Sequence, residues 1–430
     1  MQPPPDGLAS ISRGTVLLVM SSASYRTAAF LEAARSVGLD VSCALDTPES
    51  LSSNIEDNVA VDFSDIDGAT QRIVTFARER ADVRAILAID DRGAVIAAKA
   101  SAQLGLPHND PDSAIAARDK LVMRNRLRAA GVQVPEYQSY PADIDPSSIA
   151  NHVSYPSVVK PLLLSGSRGV IRADTPDEFI AAFERTRSIL DASGMPPDEN
   201  EVLVERFVEG FEVALEGLLT DGRLETLALF DKPDPLDGPF FEETIYVMPS
   251  RLPDDVQAAI SSRAEEAADA IGLRHGPVHA ELRVNRATGD IWTIELAGRS
   301  IGGLCSSILD FGAGMTLEEL ILRHAAGMRA TPRQRNEAGA GVMMIPIPRS
   351  GMLRGVTGLT EAAGVQGITG IEITAPLNQP IVALPEGSSY LGFIFARSDS
   401  AEGAERALRR AHSLLSFEIA PILALRPADR

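Results

Sequence analysis

Apolar and polar residues exchange places with a period of two along residues 278–303, VHAELRVNRATGDIWTIELAGRSIGG. Val278, Ala280, Leu282 and Val284 alternate with His279, Glu281 and Arg283. After a Thr-Gly-Asp turn, Trp292, Ile294 and Leu296 alternate with Thr293, Glu295, Ala297 and Arg299. This periodicity predicts a β-hairpin. Superposing the apolar faces sets Val284 opposite Trp292, Leu282 opposite Ile294 and Ala280 opposite Leu296. Glu281 then falls opposite Glu295. Cross-strand neighbours lie about 5 Å apart, where like charges repel. A hard divalent cation bound by carboxylate oxygens would compensate, and Mg²⁺ usually carries phosphate oxygens as well. Arg299 follows on the same face. A solvated sheet face with scattered charges has the same pattern.

Elsewhere the apolar pattern alternates between strands and helices. Residues 15–20 (TVLLVM), 41–45 and 84–89 are short apolar runs, read as buried strands. Residues 25–37, 66–80 and 90–103 have helical spacing, with stops at Gly38 and Gly105. That order predicts a parallel sheet with helices on both faces. No G-x-G-x-x-G follows the first run, so the dinucleotide fingerprint is missing. Residues 1–13 read as a Pro-rich tail. Residues 114–131 predict a helix pair or one bent helix, ended by Gly131 and Pro135.

The next stretches carry candidate chemistry. Residues 155–161 (YPSVVKP) predict a strand with Lys160 near its end, followed at once by the small, flexible run Ser165, Gly166, Ser167, Arg168, Gly169. Its backbone amides could wrap phosphate oxygens, although it is not a Walker A loop. Residues 201–219 predict two strands around Glu209 and Gly210. Glu205, Phe207, Val208 and Glu212 fall where a strand becomes a linker, and could supply an apolar slot, backbone hydrogen bonds and a ribose acceptor. A plain hairpin with glutamates on its wet face fits equally. Residues 227–247 include DKPDPLDGPFFEET, which predicts an irregular surface loop. Residues 253–271 predict an amphipathic helix with Asp254 and Asp255 at its N-terminus and Gly272 as its stop. Residues 316–327 predict another helix. Beyond about residue 329, four strands and a helix over 400–415 are expected to close the core and wall the site.

Composition narrows the function classes. The chain has 430 residues, 45% hydrophobic and 23% charged, which is ordinary for a globular protein of two or three domains. A net charge of −19 argues against nucleic acid or an anionic membrane surface as the main partner, but a local basic pocket can still take an anionic ligand. Two distant cysteines, Cys43 and Cys305, form no disulfide framework, and a reducing cytoplasm is the expected location. The first residues show no basic segment followed by an apolar core, so no signal peptide is expected. No apolar run approaches the ~20 residues needed to span a bilayer.

Taken together, these motifs resemble the ATP-grasp superfamily over nearly the whole chain. The resemblance implies an α/β (α+β) fold: an N-terminal parallel α/β domain over 1–113, an ATP-grasp domain over 114–328 with a mobile lid at roughly 130–208, and a C-terminal α+β domain over 329–430. Lys120, after Asp119, is similar to the first nucleotide lysine, and Lys160 to the second. Ser165, Gly166, Ser167 and Gly169 are similar to the loop that closes over the phosphates. Glu205, Phe207 and Val208 match the adenine linker, and Glu212 the ribose carboxylate. Glu281 and Glu295 match the metal pair, for Mg²⁺ or Mn²⁺, and Arg299 the arginine of the E-x-N-x-R strand. Ala297 departs from that pattern, since the family's Asn is often a further metal ligand.

Within the superfamily, DKPDPLDGPFFEET and IELAGRSIGG look most like the biotin-carboxylase-type branch that includes L-amino-acid ligases (dipeptide synthases). This likeness implies an ADP-forming acid–amino-acid ligase that joins a carboxylate to an amine through an acyl phosphate. Its partners would be small-molecule substrates, with no nucleic acid and no membrane, and a homodimer is compatible with it. Arg299 would hold the substrate carboxylate, Glu242 or Glu243 its ammonium group, and Gly302 and Gly303 would leave room for a bulky substrate. His279, on the metal face, would be a catalytic base or would support the metal ligands. Two alternatives stand: a biotin-carboxylase-like enzyme using bicarbonate, and a non-catalytic nucleotide-binding protein.

Overall fold

In this computed structural model the described residues are 14–21, 24, 26–48, 57–194, 200–311, 314–328 and 338–422. The expected tail over 1–13, Tyr25 and the expected boundary at 329 lie outside the described residues. Two compact units emerge: Met1–Ala114 with Asp310–Gln334, and Ile115–Leu309 with Arg335–Arg430.

In the first unit, β1 (Thr15–Ser21), β2 (Asp40–Asp46), β3 (Asn58–Val61) and β4 (Val83–Ala88) form a parallel sheet in the order β3-β2-β1-β4. β1 is buried from Thr15 to Met20. Such a continuously apolar strand suits a parallel sheet covered on both faces. Three helices of this unit end on glycine or alanine in the left-handed conformation, Gly38, Ala81 and Gly105. The helix Leu317–Ala325, opened by a Thr316–Glu319 capping box, packs on the helix Thr27–Val37. A buried Arg26–Glu318 ion pair (3.1 Å) fixes that contact.

Among the described residues the second unit holds three sheets. β5 (Tyr137–Pro141), β6 (Ser157–Pro161), β7 (Ile171–Ala173) and β8 (Glu201–Arg206) pair antiparallel in the order β5-β8-β6-β7. The helix Pro176–Ser193 covers this sheet and packs Phe179, Phe183 and Leu190 against Val159 and Val202. Its start is signalled by Thr175, which accepts from the Glu178 amide, with Pro176 in the first turn.

The remaining strands are β9 (Phe211–Thr220), β10 (Arg223–Asp231), β11 (Ile245–Met248), β12 (Gly276–Val284), β13 (Ile291–Ala297), β14 (Gly339–Ile345), β15 (Gly351–Thr357), β16 (Ile368–Ile373), β17 (Pro380–Ile381), β18 (Gly392–Ser398) and β19 (Ser416–Ala420). Eight of them form one sheet, β13-β12-β9-β10-β11-β14-β18-β16, and a small sheet β17-β15-β19 lies apart. The C-terminal strands β14, β16 and β18 therefore extend the same sheet that carries the predicted hairpin.

One face of that sheet is apolar. Val213, Leu215 and Leu219 of β9 and Val278, Ala280, Leu282 and Val284 of β12 meet Ile260, Ala264, Ala267 and Ile271 of the helix Asp254–Ile271. The period of two then sends Glu212, Glu216, His279, Glu281 and Arg283 to the other face.

The hairpin register agrees with expectation at Ala280–Leu296 and Glu281–Glu295, then departs from it. A bulge follows Glu281, so Leu282 pairs with Thr293, Arg283 with Trp292 and Val284 with Ile291. The expected apolar row Trp292, Ile294, Leu296 is thereby corrected. Ile291, Thr293 and Leu296 are buried, whereas Ile294 lines the cleft described below.

Candidate active site

The charged face of β9 and β12, through Glu212, Glu281 and Arg283, lines a cleft. Antiparallel pairing sets Glu212 opposite Arg283, Ala214 opposite Glu281 and Glu216 opposite His279. Each polar pair is closed by contact. Arg283 Nε donates to Glu212 Oε2 at 2.8 Å, and His279 Nδ1 lies 2.5 Å from Glu216 Oε1. Ala214 offers Glu281 no partner across the ladder.

Lys232 supplies one. Its buried ammonium lies 2.8 Å from Glu212 Oε1 and 3.3 Å from Glu281 Oε1, and it also pairs with Glu243. The Tyr246 ring sits 5.1 Å from Nζ. Burial opposes the charge of Lys232, but Glu212, Glu243 and Glu281 outweigh it and hold the ammonium protonated. For Glu243, burial and the charge of Glu281 push the carboxyl up to about 7. Glu281 is driven well below the carboxylate range: Lys232 and His279 overcome its burial.

Glu212, Glu243 and Glu281 bring carboxylate oxygens within 4.8 Å of one another, a spacing that fits one cation. Glu295, across the ladder from Glu281, lines the same cleft. These hard oxygen donors suit Mg²⁺ or Mn²⁺. Ala297 is buried, and its side chain offers no oxygen.

The opposite wall holds the expected cations. Asp119 caps the helix Lys120–Ala129 by accepting from the Leu121 and Val122 amides, which places Lys120 at its first position. A cation is disfavoured there by the helix dipole, so the position is poor for stability and useful for an anion. Lys120 Nζ donates to the Leu164 carbonyl at 2.8 Å. Lys160 is buried on β6 and touches Glu205 Oε2 at 2.5 Å. Arg124 Nε reaches Glu205 Oε1 at 2.6 Å, while its Nη2 donates to the Ile294 carbonyl at 2.7 Å. Burial pushes the Glu205 carboxyl up, but Arg124 and Lys160 prevail and bring it to about 2. Burial lowers Lys160, with Glu205 opposing.

Glu205, Phe207, Val208 and Glu212 all line the cleft, and each has partners there. The Glu205 carboxylate pairs with Arg124 and Lys160. The Glu212 carboxylate has both oxygens engaged, by Lys232 and Arg283. The Val208 carbonyl accepts from Arg283 Nη1 at 2.7 Å, and the Phe207 amide donates to Pro156 at 2.8 Å. Phe207 is flanked by the guanidinium groups of Arg172 (4.2 Å) and Arg283 (5.0 Å). The apolar slot is completed by Val158, Leu236, Phe241 and Ile294.

In the glycine-rich loop, Ser165, Gly166 and Ser167 line the cleft, and Gly166 and Ser167 are both left-handed (φ 64° and 55°). Gly169 does not line it. Its amide donates to the Pro385 carbonyl at 2.8 Å and is not available to a phosphate.

Arg299, Glu242, His279, Gly302 and Gly303 also lie outside the cleft lining. Arg299 Nη1 donates to the Ser300 carbonyl at 3.0 Å. Glu242 is partly buried, which raises its carboxyl, and it takes a backbone hydrogen bond from Ile347. Glu216 and Glu281 overcome the burial of His279 and raise it to about 9. His279 thus stands between Glu216 and Glu281, with Nε2 3.7 Å from Glu281 Oε1. Open space faces Gly302, but Gly303 is packed against the Phe393 ring, 3.0 Å from an added Cβ. The loop expected over 227–247 is also less superficial than composition suggests, since Asp231, Lys232 and Leu236 are buried.

The ATP-grasp domain family matches residues 153–308, the ATP-grasp N-terminal domain family residues 31–108, and the family of L-amino acid ligase C-terminal domain 2 residues 343–420. The alanine–anticapsin ligase of Bacillus amyloliquefaciens is 25% identical over 362 residues, covering 74% of this chain and 76% of that protein. An uncharacterised protein of Sinorhizobium fredii is 26% identical over 316 residues, covering 74% of this chain. The chain spans 64% of the Sinorhizobium protein's length and 46% of that of the alanine–anticapsin ligase of Bacillus subtilis. Among solved structures, an L-amino acid ligase from Bacillus licheniformis superimposes with a TM-score of 0.80 at 25% identity, covering 95% of this chain and 99% of that one. The fold of phosphoribosylglycinamide synthetase from Anaerococcus prevotii also matches, with a TM-score of 0.66 at 15% identity over 94% of this chain and 100% of that one. With these matches and a cleft that joins two lysines, a glycine-rich loop and a carboxylate cluster, the chain belongs to the ATP-grasp superfamily.

Proposed function

We propose that the protein is an ATP-dependent carboxylate–amine ligase, with an amino acid among its substrates, that forms an amide bond through an acyl phosphate and releases ADP and phosphate. The observation that carries this reading is the cleft itself. Lys120, Lys160, Ser165, Gly166 and Ser167 line one side of it, and Glu281 and Glu295 line the other. The match of the C-terminal region to an L-amino acid ligase domain supports a ligase over a carboxylase.

The adenine would lie in the slot made by Val158, Phe207, Leu236, Phe241 and Ile294. Lys120 and Lys160 would draw charge from the phosphates, and the Ser165–Ser167 backbone would wrap them. Glu281 and Glu295, with Glu212 and Glu243 nearby, would hold Mg²⁺ or Mn²⁺. When bound, that cation supplies Lewis-acid neutralisation of phosphate oxygens. A carboxylate oxygen of one substrate attacks the γ-phosphorus, and ADP departs. The amine nitrogen of the second substrate then attacks the acyl carbon, phosphate leaves, and the amine loses a proton. The acyl phosphate hydrolyses readily, so a site shielded from water is required.

The test is a panel of amino acids and carboxylic acids, scored by ADP release and by product mass. The expected product equals carboxylate plus amine less one water, with ADP and not AMP released. Cleavage to AMP, or ADP release that responds to bicarbonate and to no amine, would overturn the reading.

A further inference from the structure

The segment between β17 and β18 grips the glycine-rich loop and the helix behind it. Arg185, on the helix Pro176–Ser193, meets Glu386 through two parallel bonds, Nε to Oε1 at 2.6 Å and Nη2 to Oε2 at 3.0 Å. Arg168, inside the loop, donates from Nε to the Glu386 carbonyl at 2.9 Å. The Gly169 amide donates to the Pro385 carbonyl at 2.8 Å. Ser388 stands over Gly166, with its Cβ 3.2 Å from where a methyl group would sit. From behind, the buried Thr186 hydroxyl donates to the Gly169 carbonyl at 3.0 Å.

Both partners of the Arg185–Glu386 pair are about half exposed, at 44% each. An exposed ion pair adds little to global stability. The fork geometry is nevertheless specific, because two parallel bonds fix both position and plane. The Arg185 guanidinium also lies 5.0 Å from the centre of the Phe240 ring, in the loop that continues to Phe241 and Glu243. One side chain thus joins three separate segments: the helix behind the glycine loop, the strand-connecting segment, and the Pro-rich loop of the cleft. Hydrogen bonding from Arg185 lowers the Glu386 carboxyl, so the pair persists through the neutral range. The segment continues to Tyr390, whose ring meets Phe393 of β18 edge-on, with 6.2 Å between ring centres.

We propose that Arg185 and Glu386 are positioning residues, which clamp the 165–169 loop against the 384–388 segment and so set its geometry over the cleft. This rests on the reading of that loop as phosphate-binding. The clamp acts through the loop; neither residue touches a reacting atom. Its consequence is a coupling of phosphate-loop closure to the C-terminal part of the sheet.

The experiment uses the full chain and variants R185M, E386Q and the reversed pair R185E/E386R. Amide hydrogen exchange over residues 162–170 is measured without nucleotide, so the result does not depend on ATP binding or on the reaction. Each single variant should speed exchange there by about 1.4-fold to fivefold, the range of an exposed ion pair, and the reversed pair should restore it. A thermal midpoint unchanged in the single variants would show that the effect is local. KM for ATP should rise in the single variants while the product formed stays the same. Exchange over 162–170 equal to wild type in both single variants, or a reversed pair as fast as the single variants, overturns the clamp. ATP titration of the wild type tests the nucleotide reading separately.

Discussion

Glu281 and Glu295 are cross-strand partners on β12 and β13, and the ladder slips by one residue immediately beyond them. The slip leaves Ile294 turned toward the cleft beside Glu295. The two carboxylates are unequal. Glu281 lies 3.3 Å from the buried Lys232 ammonium and 3.7 Å from His279 Nε2.

This asymmetry gives a prediction that separates stability from turnover. Glu281→Gln removes one of three carboxylates around a buried ammonium, and should cost about 1–3 kcal/mol without ligand. Glu295→Gln should change stability by no more than about 0.5 kcal/mol. Both should lose most Mg²⁺-dependent ATP cleavage. Urea unfolding and ADP release check this. Identical stabilities for the two variants, or full turnover of Glu295→Gln at limiting Mg²⁺, would count against the assignment.

Lys232 is the charge on which the cluster depends. Lys232→Met leaves Glu212, Glu243 and Glu281 with oxygens within 4.8 Å and without their ammonium. Loss of one partner from a buried ionic group costs about 3–5 kcal/mol. A divalent cation that binds only the folded state should restore part of it by mass action. The expected outcome is a rise in Tm with millimolar Mg²⁺ that is larger in Lys232→Met than in wild type. An equal or smaller rise would sink the cation-site reading.

The Glu205 pair gives a pH dependence whose sign follows from its shift. The folded carboxyl titrates at about 2, below its ordinary 4.5. Its stabilising contribution is therefore full above the ordinary value and is lost as pH falls through the folded one. Glu205→Gln leaves Arg124 and Lys160 without their shared carboxylate and should cost about 3–5 kcal/mol at neutral pH. The gap between wild type and this variant should stay constant from pH 7 to about 5, then narrow steadily toward pH 3. Unfolding midpoints across that range decide it, and a gap that widens with acid would refute the argument.

The central sheet was legible because Val278 to Val284 obey a strict period of two, and setting Ala280 opposite Leu296 puts Glu281 opposite Glu295. The bulge was not. Trp292, Ile294 and Leu296 alternate as cleanly as the true inward set, and only the packing of Thr293 and Ile291 decides between them. Lys232 was hidden for another reason. It sits at the head of a Pro- and Asp-rich run that reads as surface loop, and its partners Glu212, Glu243 and Glu281 come from separate places in the chain. Arg124 was hidden likewise, on a helix whose apolar spacing gives no hint of a partner at Glu205. Gly169 looked like part of a phosphate cradle because glycine spacing cannot show where an amide points.

Gly302 and Gly303 are neighbours with opposite expected tolerances. An added Cβ at Gly302 meets nothing within 4 Å, and its φ is not in the left-handed range. At Gly303 the φ is +60°, and the Cβ would stand 3.0 Å from the Phe393 ring. A left-handed backbone costs a residue with a side chain about 1–2 kcal/mol, and displacing a ring that is itself packed on Phe395 adds to it. Gly303→Ala should therefore lower stability by at least about 1 kcal/mol, whichever substrate is used. Gly302→Ala should keep wild-type stability. If the open space beside Gly302 receives substrate, as the ligase reading holds, Gly302→Ala should raise KM for the larger amino acids of the panel and leave KM for ATP unchanged. Thermal unfolding and KM over a size series of amino acids read the two effects separately. A Gly302→Ala enzyme with the wild-type size profile would remove Gly302 from the substrate site, and a Gly303→Ala protein as stable as wild type would contradict the packing against Phe393.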